Sequence, residues 1–410
     1  MKETRNGEEK QVQSIHSLLN ARELQEELRE RCKNAALLLG SALLEEEVAA
    51  LCGPGFSRKG EELYHRGGSD TTTIVVQGAK YRMKRPRVRN KDGEVELEML
   101  RKLQAQDILD EKVHAAMLSG ISTRNYEKVA EGYSEKLGVS KSSTSRAFIR
   151  VSQKDLDLIN TGSLSEHRFV ALMIDAFEVY GRSMVMALGI TAEMKKVPLG
   201  LKEGDSENSE VVKDLLASIV DRGFTTHCEF FLVVLDGSKA LKKAVRATFG
   251  ERALIQRCWI HKLRNLKKYV PDKLHGTLHW RMKKLMNLSS FDDAVTELQS
   301  FAKWLAEVSH GALESLEEAG DELLTVHRLG LTGLLRKSLS TTNGIESVIG
   351  HVRGKMQRIK RGRSSPTQAL RWTASALLSC AKTFKKVRGA TQAQALISAL
   401  ALFTLEKKAA

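Results

Sequence analysis

The sequence has few cysteines and no long apolar run. Its five cysteines are scattered over 410 residues without a Cys-x-x-Cys pair, which argues against a disulfide framework and against a zinc ribbon. The N-terminal residues contain no apolar stretch that could serve a signal peptide, and no apolar run elsewhere approaches the roughly 20 residues of a membrane span. We therefore expect a soluble cytoplasmic protein with no membrane partner.

Basic side chains outnumber acidic ones. The chain carries 65 Lys and Arg against 50 Asp and Glu, a formal charge of +15, and its 42% hydrophobic residues suffice for a packed core. Its length allows roughly two or three domains. The positive charge favours a polyanionic partner, because each phosphate neutralised by Lys or Arg releases condensed counterions. Charge alone also allows a basic protein without a nucleic-acid partner.

The N-terminal region combines a helical pattern with a basic segment. Apolar residues recur at helical spacing over 12–51, and the turn at 52–55 ends the pattern; a helical hairpin and a dimerisation element both fit it. Residues 80–91 contain seven cations and no acid. We predict a strand or arm along a phosphate backbone. Its proposed DNA contacts are Lys84, Arg85, Arg87 and Arg89.

Residues 124–151 have the pattern of two helices joined by a tight turn. The turn, Gly138-Val-Ser, precedes a helix start rich in Ser, Thr and Arg. Small polar residues at that place in a helix-turn-helix reach bases and phosphates. We predict DNA contacts from Ser142, Ser143 and Arg146, although an ordinary helical hairpin has a similar pattern.

The segment from 168 to 270 alternates between strand and helix patterns. Strands are predicted at 169–175, 183–190, 197–201, 229–236 and 253–258, and helices at 208–220, 239–249 and from 261. Strand signals vanish from 271 to about 333, so that segment is predicted to be helical. Helical patterns then continue to the end, interrupted by a cationic stretch at 353–363 and by Pro366.

Three acids stand out by their position. Asp175 and Asp236 follow apolar runs where buried strands are predicted to end, and Glu346 opens a helical pattern after Thr-Thr-Asn-Gly-Ile. The two aspartates are 61 positions apart (236 − 175), so they meet only if their strands are neighbours. An Asp in this place often only caps a turn, and Asp-Gly is a common turn dipeptide. The competing carboxylates are Glu178, Glu203, Asp205, Asp221 and Glu229.

Phosphodiester chemistry gives such acids a role. Two metal ions about 3.5–4 Å apart can activate water and stabilise both the phosphoryl oxygens and the leaving oxygen. Carboxylates suit Mg²⁺, which prefers hard oxygen ligands and keeps several waters. Either Thr341 or Thr342 is predicted to cap the helix that carries Glu346.

Several motifs resemble those of bacterial insertion-sequence transposases of the Mutator superfamily. They are ALGI at 187–190, LGLKEG at 199–204, ENSEVVKDLL at 207–216, LDGSKAL at 235–241, QRCWIHKLRN at 256–265 and TTNGIE at 341–346. The likeness spans nearly the whole chain. Ala176 departs from it, since many relatives have Gly after the first aspartate, but the aspartate itself is kept.

The resemblance implies a DDE transposase with a ribonuclease-H-like α/β catalytic core, a mixed sheet with helices, split by an all-helical insertion. Asp175, Asp236 and Glu346 match its acidic triad, which would hold two Mg²⁺ ions, with Mn²⁺ as a substitute. Terminal inverted repeats and target DNA would be the partners, bound by a homodimer in the bacterial nucleoid. A catalytically inactive DNA-binding regulator and a plain nuclease without strand transfer are the alternatives.

The sequence patterns and the resemblance together divide the chain into six segments. They are a helical region for DNA binding or dimerisation (1–70), a basic strand or arm (71–110), a helix-turn-helix domain (111–160), the first part of the catalytic domain (165–270), the helical insertion (271–335) and C-terminal helices carrying the glutamate (336–410).

Cys258 and His261 match the family's Cys-x-x-His pair. One Cys and one His lack the second pair of a closed tetrahedral zinc site, so structural support or a phosphate contact fits better, with His261 donating a hydrogen bond or proton. A buried structural histidine is the alternative. Further cations are predicted to contact DNA, namely Arg264, Lys267, Arg353, Arg358, Lys360 and Arg361.

Overall fold

The computed structural model describes residues 21–55, 63–76, 79–105, 107–120, 141–204, 208–357 and 365–409. The described residues belong to two compact units, one drawn from residues 1–115 and 123–148, the other from 116–122 and 149–410. Within these ranges no helix is long and apolar enough to cross a membrane. The division into six segments stays a prediction.

The first unit is a three-stranded antiparallel sheet covered by helices. Its elements are α1 (Ala21–Cys52), β1 (His65–Val76), β2 (Ala79–Asn90), β3 (Gly93–Val95), α2 (Glu98–Gln104), most of α3 (Asp107–Leu118) and the start of α4 (Lys141–Thr161). Leu44 and Val48 of α1 are buried with Ile74 and Met83 of the sheet, so apolar burial holds the helix on the strands. Helix α1 ends at Cys52, which confirms the predicted stop.

The basic run lies on β2, the central strand of this sheet. The acids that balance part of its charge come from neighbouring strands. Glu94 of β3 accepts from Arg87 Nε at 2.9 Å and lies 2.9 Å from Arg85 Nη2. Lys84 and Arg89 are exposed.

The second unit is built on a five-stranded mixed sheet, in the order β6-β5-β4-β7-β8. The strands are β4 (Phe169–Val179), β5 (Arg182–Thr191), β6 (Lys196–Glu203), β7 (Phe231–Leu235) and β8 (Ala253–Arg257). β5 runs antiparallel to both β4 and β6, whereas β4, β7 and β8 are parallel. Each matches a predicted strand, with ends that differ by a few residues.

Helices of the second unit follow the sheet in chain order. They are α5 (Ser209–Asp221), α6 (Lys239–Phe249), α7 (Trp259–Lys267), α8 (His275–Asn287), α9 (Phe291–Val308), α10 (His310–Ala319), α11 (Thr325–Arg328), α12 (Gly333–Leu339), α13 (Asn343–Met356), α14 (Pro366–Ala381) and α15 (Ala393–Ala409). Residues 271–335, all of which the structure describes, contain helices and 3₁₀ turns and no strand.

The two faces of the sheet are covered differently. Leu172 and Ile174 of β4 belong to the apolar core shared with α5 and α6. Side chains alternate along a strand, so Met173, Asp175 and Phe177 point to the opposite face. Helix α13 packs against β4 on that opposite face. Asp175 therefore lies between the sheet and helix α13.

Candidate active site

Asp175 lies inside β4 rather than at its end, so the strand-end prediction is wrong for this residue. β4 continues to Val179 because its last residues pair with β5, as far as Val179 opposite Arg182. On its other edge the pairing with β7 ends earlier, at Met173 opposite Val234. Asp175 therefore lies just beyond the shared ladder.

Asp236 follows β7 directly and lies level with Asp175 along the strand direction. It lies two residues beyond Val234 (236 − 234), as Asp175 lies two beyond Met173 (175 − 173). Adjacent strands are about 4.8 Å apart, and the shared register turns both side chains to the same face. Asp236 Oδ1 also accepts from the Ser238 amide at 2.8 Å, so the turn interaction weighed as an alternative is present as well.

Helix α13 brings Glu346 to this face. It begins at Asn343 rather than at Glu346, and its first turn touches β4 at a glycine. A Cβ on Gly344 would lie 2.9 Å from Met173 Sδ, so only glycine allows this approach without a shift. At the other end of the helix, Tyr180 donates to the Met356 carbonyl at 2.8 Å.

The three acids interact electrostatically. Burial raises the pKa of Asp175 to about 7, and the Asp236 and Glu346 carboxylates push in the same direction against an opposing effect of His261. Asp175 is 8% exposed, which keeps solvent from screening these charges. Such a cluster holds negative charge that a cation would offset.

Thr342 connects Glu346 to the Cys-x-x-His pair. It occupies the N-cap position of α13, but its side chain makes no capping hydrogen bond, so the capping prediction is wrong for Thr342. Its hydroxyl instead donates to Glu346 Oε1 at 2.7 Å and lies 3.3 Å from both His261 Nδ1 and Cys258 Sγ. The residue is fully buried. Thr341 turns back to the Lys337 carbonyl, 3.4 Å away.

His261 and Cys258 perturb each other. Hydrogen bonding to Cys258 raises the pKa of His261, opposed by burial and reinforced by charges that include Asp175 and Glu346. Burial disfavours the Cys258 thiolate, but hydrogen bonds from His261 and Thr342 outweigh burial and lower its pKa. Cys258 is buried and His261 is partly open to solvent, with its Nδ1 3.9 Å from Glu346 Oε1. The pair thus borders the acids directly.

The competing carboxylates have other surroundings. Glu178 is exposed on β4, Glu203 pairs with Arg182 at 2.8 Å, and Asp221 is exposed at the end of α5. Glu229 precedes β7, and Asp205 lies outside the described residues. None of the four that the structure describes is among the causes of the raised pKa of Asp175.

The predicted DNA contacts are spread over both units. Arg146 is exposed on α4, whose first turn contains Ser142 and Ser143. The other half of the predicted helix-turn-helix, 124–140, lies outside the described residues, as do Arg358, Lys360 and Arg361. Exposed Arg264 and Lys267 extend from His261 along α7, with Arg264 Nη1 3.5 Å from His261 Nε2. Exposed Arg353 on α13 has its guanidinium over the Phe177 ring.

A buried ionic network ties the helical segment to the sheet. Arg257, at the end of β8, is 1% exposed and donates to Glu318 of α10 at 2.6 Å. Lys262 of α7 lies 3.1 Å from the same carboxylate. Sequence reasoning missed this network and the role of Thr342, because neither has a local signal beyond ordinary charged and hydroxyl residues.

The chain belongs to the transposase family described as "Transposase, Mutator family", whose model matches residues 8–384. It is 25% identical to the transposase for insertion sequence element IS6120 of Mycolicibacterium smegmatis, over 70% of this chain and 88% of that protein. It is 26% identical to the transposase for ISRM5 of Rhizobium meliloti, over 80% and 81%. A third relative, the transposase for IS905 of Lactococcus lactis, is 28% identical over 59% and 61%.

Proposed function

We propose that this transposase cuts and joins DNA by DDE chemistry at the terminal inverted repeats of an insertion sequence. The observation that carries the proposal is the meeting of three acids on one face of the sheet. Asp175 and Asp236 lie at matching heights on adjacent parallel strands, and α13 brings Glu346 to them through Gly344.

The strand order supports a ribonuclease-H-like core. Three consecutive antiparallel strands are followed by two strands that add in parallel beside β4. Asp175 lies on the central strand, and Glu346 follows the helical segment 271–335. The helical segment thus lies in the chain between the second and third acids, where the family resemblance would put an insertion.

The acids fit hard divalent cations. All three offer carboxylate oxygens. Burial is the main cause of the raised pKa of Asp175, and bound cations would relieve the further contribution from repulsion by Asp236 and Glu346. Asp175, Asp236 and Glu346 would hold two Mg²⁺, with Mn²⁺ as a substitute, and the ions would supply activation of the attacking oxygen and stabilisation of the leaving oxygen.

His261 and the basic residues beside it would contact the DNA. The hydrogen bond to Cys258 raises the pKa of His261 above its ordinary value, and the protonated ring can donate to a phosphate oxygen next to the acids. Arg264 and Lys267 continue along α7 and would neutralise neighbouring phosphates. Ser142, Ser143 and Arg146 would read bases in the repeats, and a homodimer would bring two ends together.

The test is a cleavage assay on end-labelled DNA that carries the element's own terminal repeats. We expect strand cleavage and joining with Mg²⁺ or Mn²⁺, and neither with EDTA or with scrambled repeats. Repeat binding without cleavage under any metal would overturn the enzymatic proposal and identify a DNA-binding regulator. Cleavage without joining would indicate a nuclease.

The exposed basic residues of β2 lead to a separate prediction about the salt dependence of DNA binding. Replacing Lys84 and Arg89 by Gln should flatten the slope of log affinity against log salt by up to about 1.8, because each phosphate that is no longer neutralised reduces the slope by about 0.9. The matched control replaces Arg85 and Arg87, whose charges already face Glu94, and should change the slope less. Equal slopes for wild type and the Lys84/Arg89 variant would remove β2 from the DNA interface.

A further inference from the structure

Cys258, His261 and Glu346 form a cluster with the composition of a metal site. Each offers one ligand atom, and these atoms all lie within 4.8 Å of one another. The sequence supplied only a Cys and a His for such a site, whereas the fold adds a carboxylate from α13. Three protein ligands with an open fourth position is a common arrangement for zinc.

The three side chains are held by rigid elements. Cys258 and His261 lie at the start of α7 and Glu346 in the first turn of α13. The Cys258 amide donates to the Leu235 carbonyl at 2.7 Å, which fixes the cysteine at the edge of the sheet. The Thr342 amide donates to Cys258 Sγ, 3.3 Å away, and such outer hydrogen bonds orient a ligand sulfur.

The donor atoms select a different ion from the one that suits the aspartates. Sulfur and imidazole nitrogen favour Zn²⁺, whereas Mg²⁺ favours oxygen. We propose that Cys258, His261 and Glu346 bind one Zn²⁺ per chain, at a site that shares Glu346 with the carboxylate cluster. Reaching zinc bond lengths of about 2.0–2.3 Å requires the three ligand atoms to close slightly around the ion.

Sharing Glu346 makes this an inhibitory site. While Zn²⁺ occupies it, the Glu346 carboxylate and the His261 ring are withdrawn from the DNA chemistry. This consequence rests on the proposed function, but binding of the ion does not.

Co²⁺ is the probe, because it replaces Zn²⁺ in such sites and its bond to sulfur absorbs in the near ultraviolet. Titration of the full-length protein, without DNA, should produce this charge-transfer band with an end point at one Co²⁺ per chain, and Zn²⁺ should remove it. Cys258→Ser should lose the band. Cys380→Ser, which alters another buried cysteine, should keep it.

Glu346→Gln covers the case in which Cys258→Ser does not fold. It should keep the sulfur band but weaken Co²⁺ binding at least about tenfold, because losing even an outer partner of a metal ligand costs about 10-fold to 100-fold in affinity. Asp236→Asn should bind Co²⁺ like wild type. No band in the wild-type protein, or a band that survives in Cys258→Ser, would overturn the zinc site. If the band behaves as expected but Asp236→Asn still cuts DNA, only the proposed catalytic triad fails.

Discussion

Asparagine in place of Asp175 should abolish DNA cleavage and raise the thermal stability of the metal-free protein at pH 8. Cleavage should fall at least about a hundredfold, since losing about 3 kcal/mol of transition-state stabilisation costs two powers of ten in rate. A neutral amide is a poor ligand for Mg²⁺. Asp236→Asn and Glu346→Gln should lose cleavage likewise, and all three variants should still bind the terminal repeats.

The stability gain follows from the pKa of Asp175, which is raised from 3.8 to about 7 in the folded chain. Between these values the folded protein binds more protons at this group than the unfolded chain, so its stabilising contribution is lost as pH rises from about 4 to 7. At about 1.4 kcal/mol per pH unit, this loss is at most about 4 kcal/mol. Asparagine carries no charge, so the Asp175→Asn variant does not lose this stability as the pH rises.

Thermal melts in EDTA at pH 5 and pH 8 measure this effect. Wild type and Asp175→Asn should differ more at pH 8 than at pH 5, with the variant more stable. Exposed Asp221→Asn is the control and should change neither melting nor cleavage. Lower stability of Asp175→Asn at pH 8, or retained cleavage, would contradict the assignment.

Removal of the Thr342 hydroxyl should slow cleavage while the fold persists. Valine matches threonine in shape but cannot donate to Glu346, whose Oε1 lies 2.7 Å from the hydroxyl. A hydrogen bond to a charged group contributes about 1.5–3 kcal/mol, so Thr342→Val should reduce the rate roughly 10-fold to 100-fold. Thr342→Ser keeps the hydroxyl and should retain most of the activity.

A role in positioning Glu346 also predicts a change that a packing defect would not cause. Because the carboxylate of the valine variant is less well oriented, half-maximal cleavage should need more Mg²⁺ than in the serine variant. Melting temperatures of both variants serve as the folding control. Similar rates and similar Mg²⁺ dependence for valine and serine would show that the hydroxyl is dispensable.

The sequence predicted the second unit well because its strands are short apolar runs between clear helical patterns. It missed the extension of β4 to Val179, where pairing with β5, rather than apolar content, sustains the strand. From the sequence alone the positive charge of the basic run on β2 has no acidic partner. Glu94 pairs with Arg87 only once β3 folds back beside β2. Partners across a sheet are not visible in local periodicity.

The candidate site was predictable in its residues but not in its assembly. The apolar runs before Asp175 and Asp236 marked both aspartates, yet whether β4 and β7 are neighbours depends on the whole fold. Thr342 illustrates the limit: its sequence position fits a helix cap, whereas its contacts with Cys258 and His261 come from a distant helix.

The close approach of Gly344 to Met173 also has a consequence for how the protein is made. It joins segments 171 positions apart (344 − 173), with the helical segment 271–335 between them. Long-range contacts of this kind carry a loop-closure cost and slow folding. During synthesis both aspartates leave the ribosome long before Glu346. An incomplete chain would therefore carry the proposed DNA contacts without a complete set of acids, and cutting activity should arise only after the last third of the polypeptide has folded.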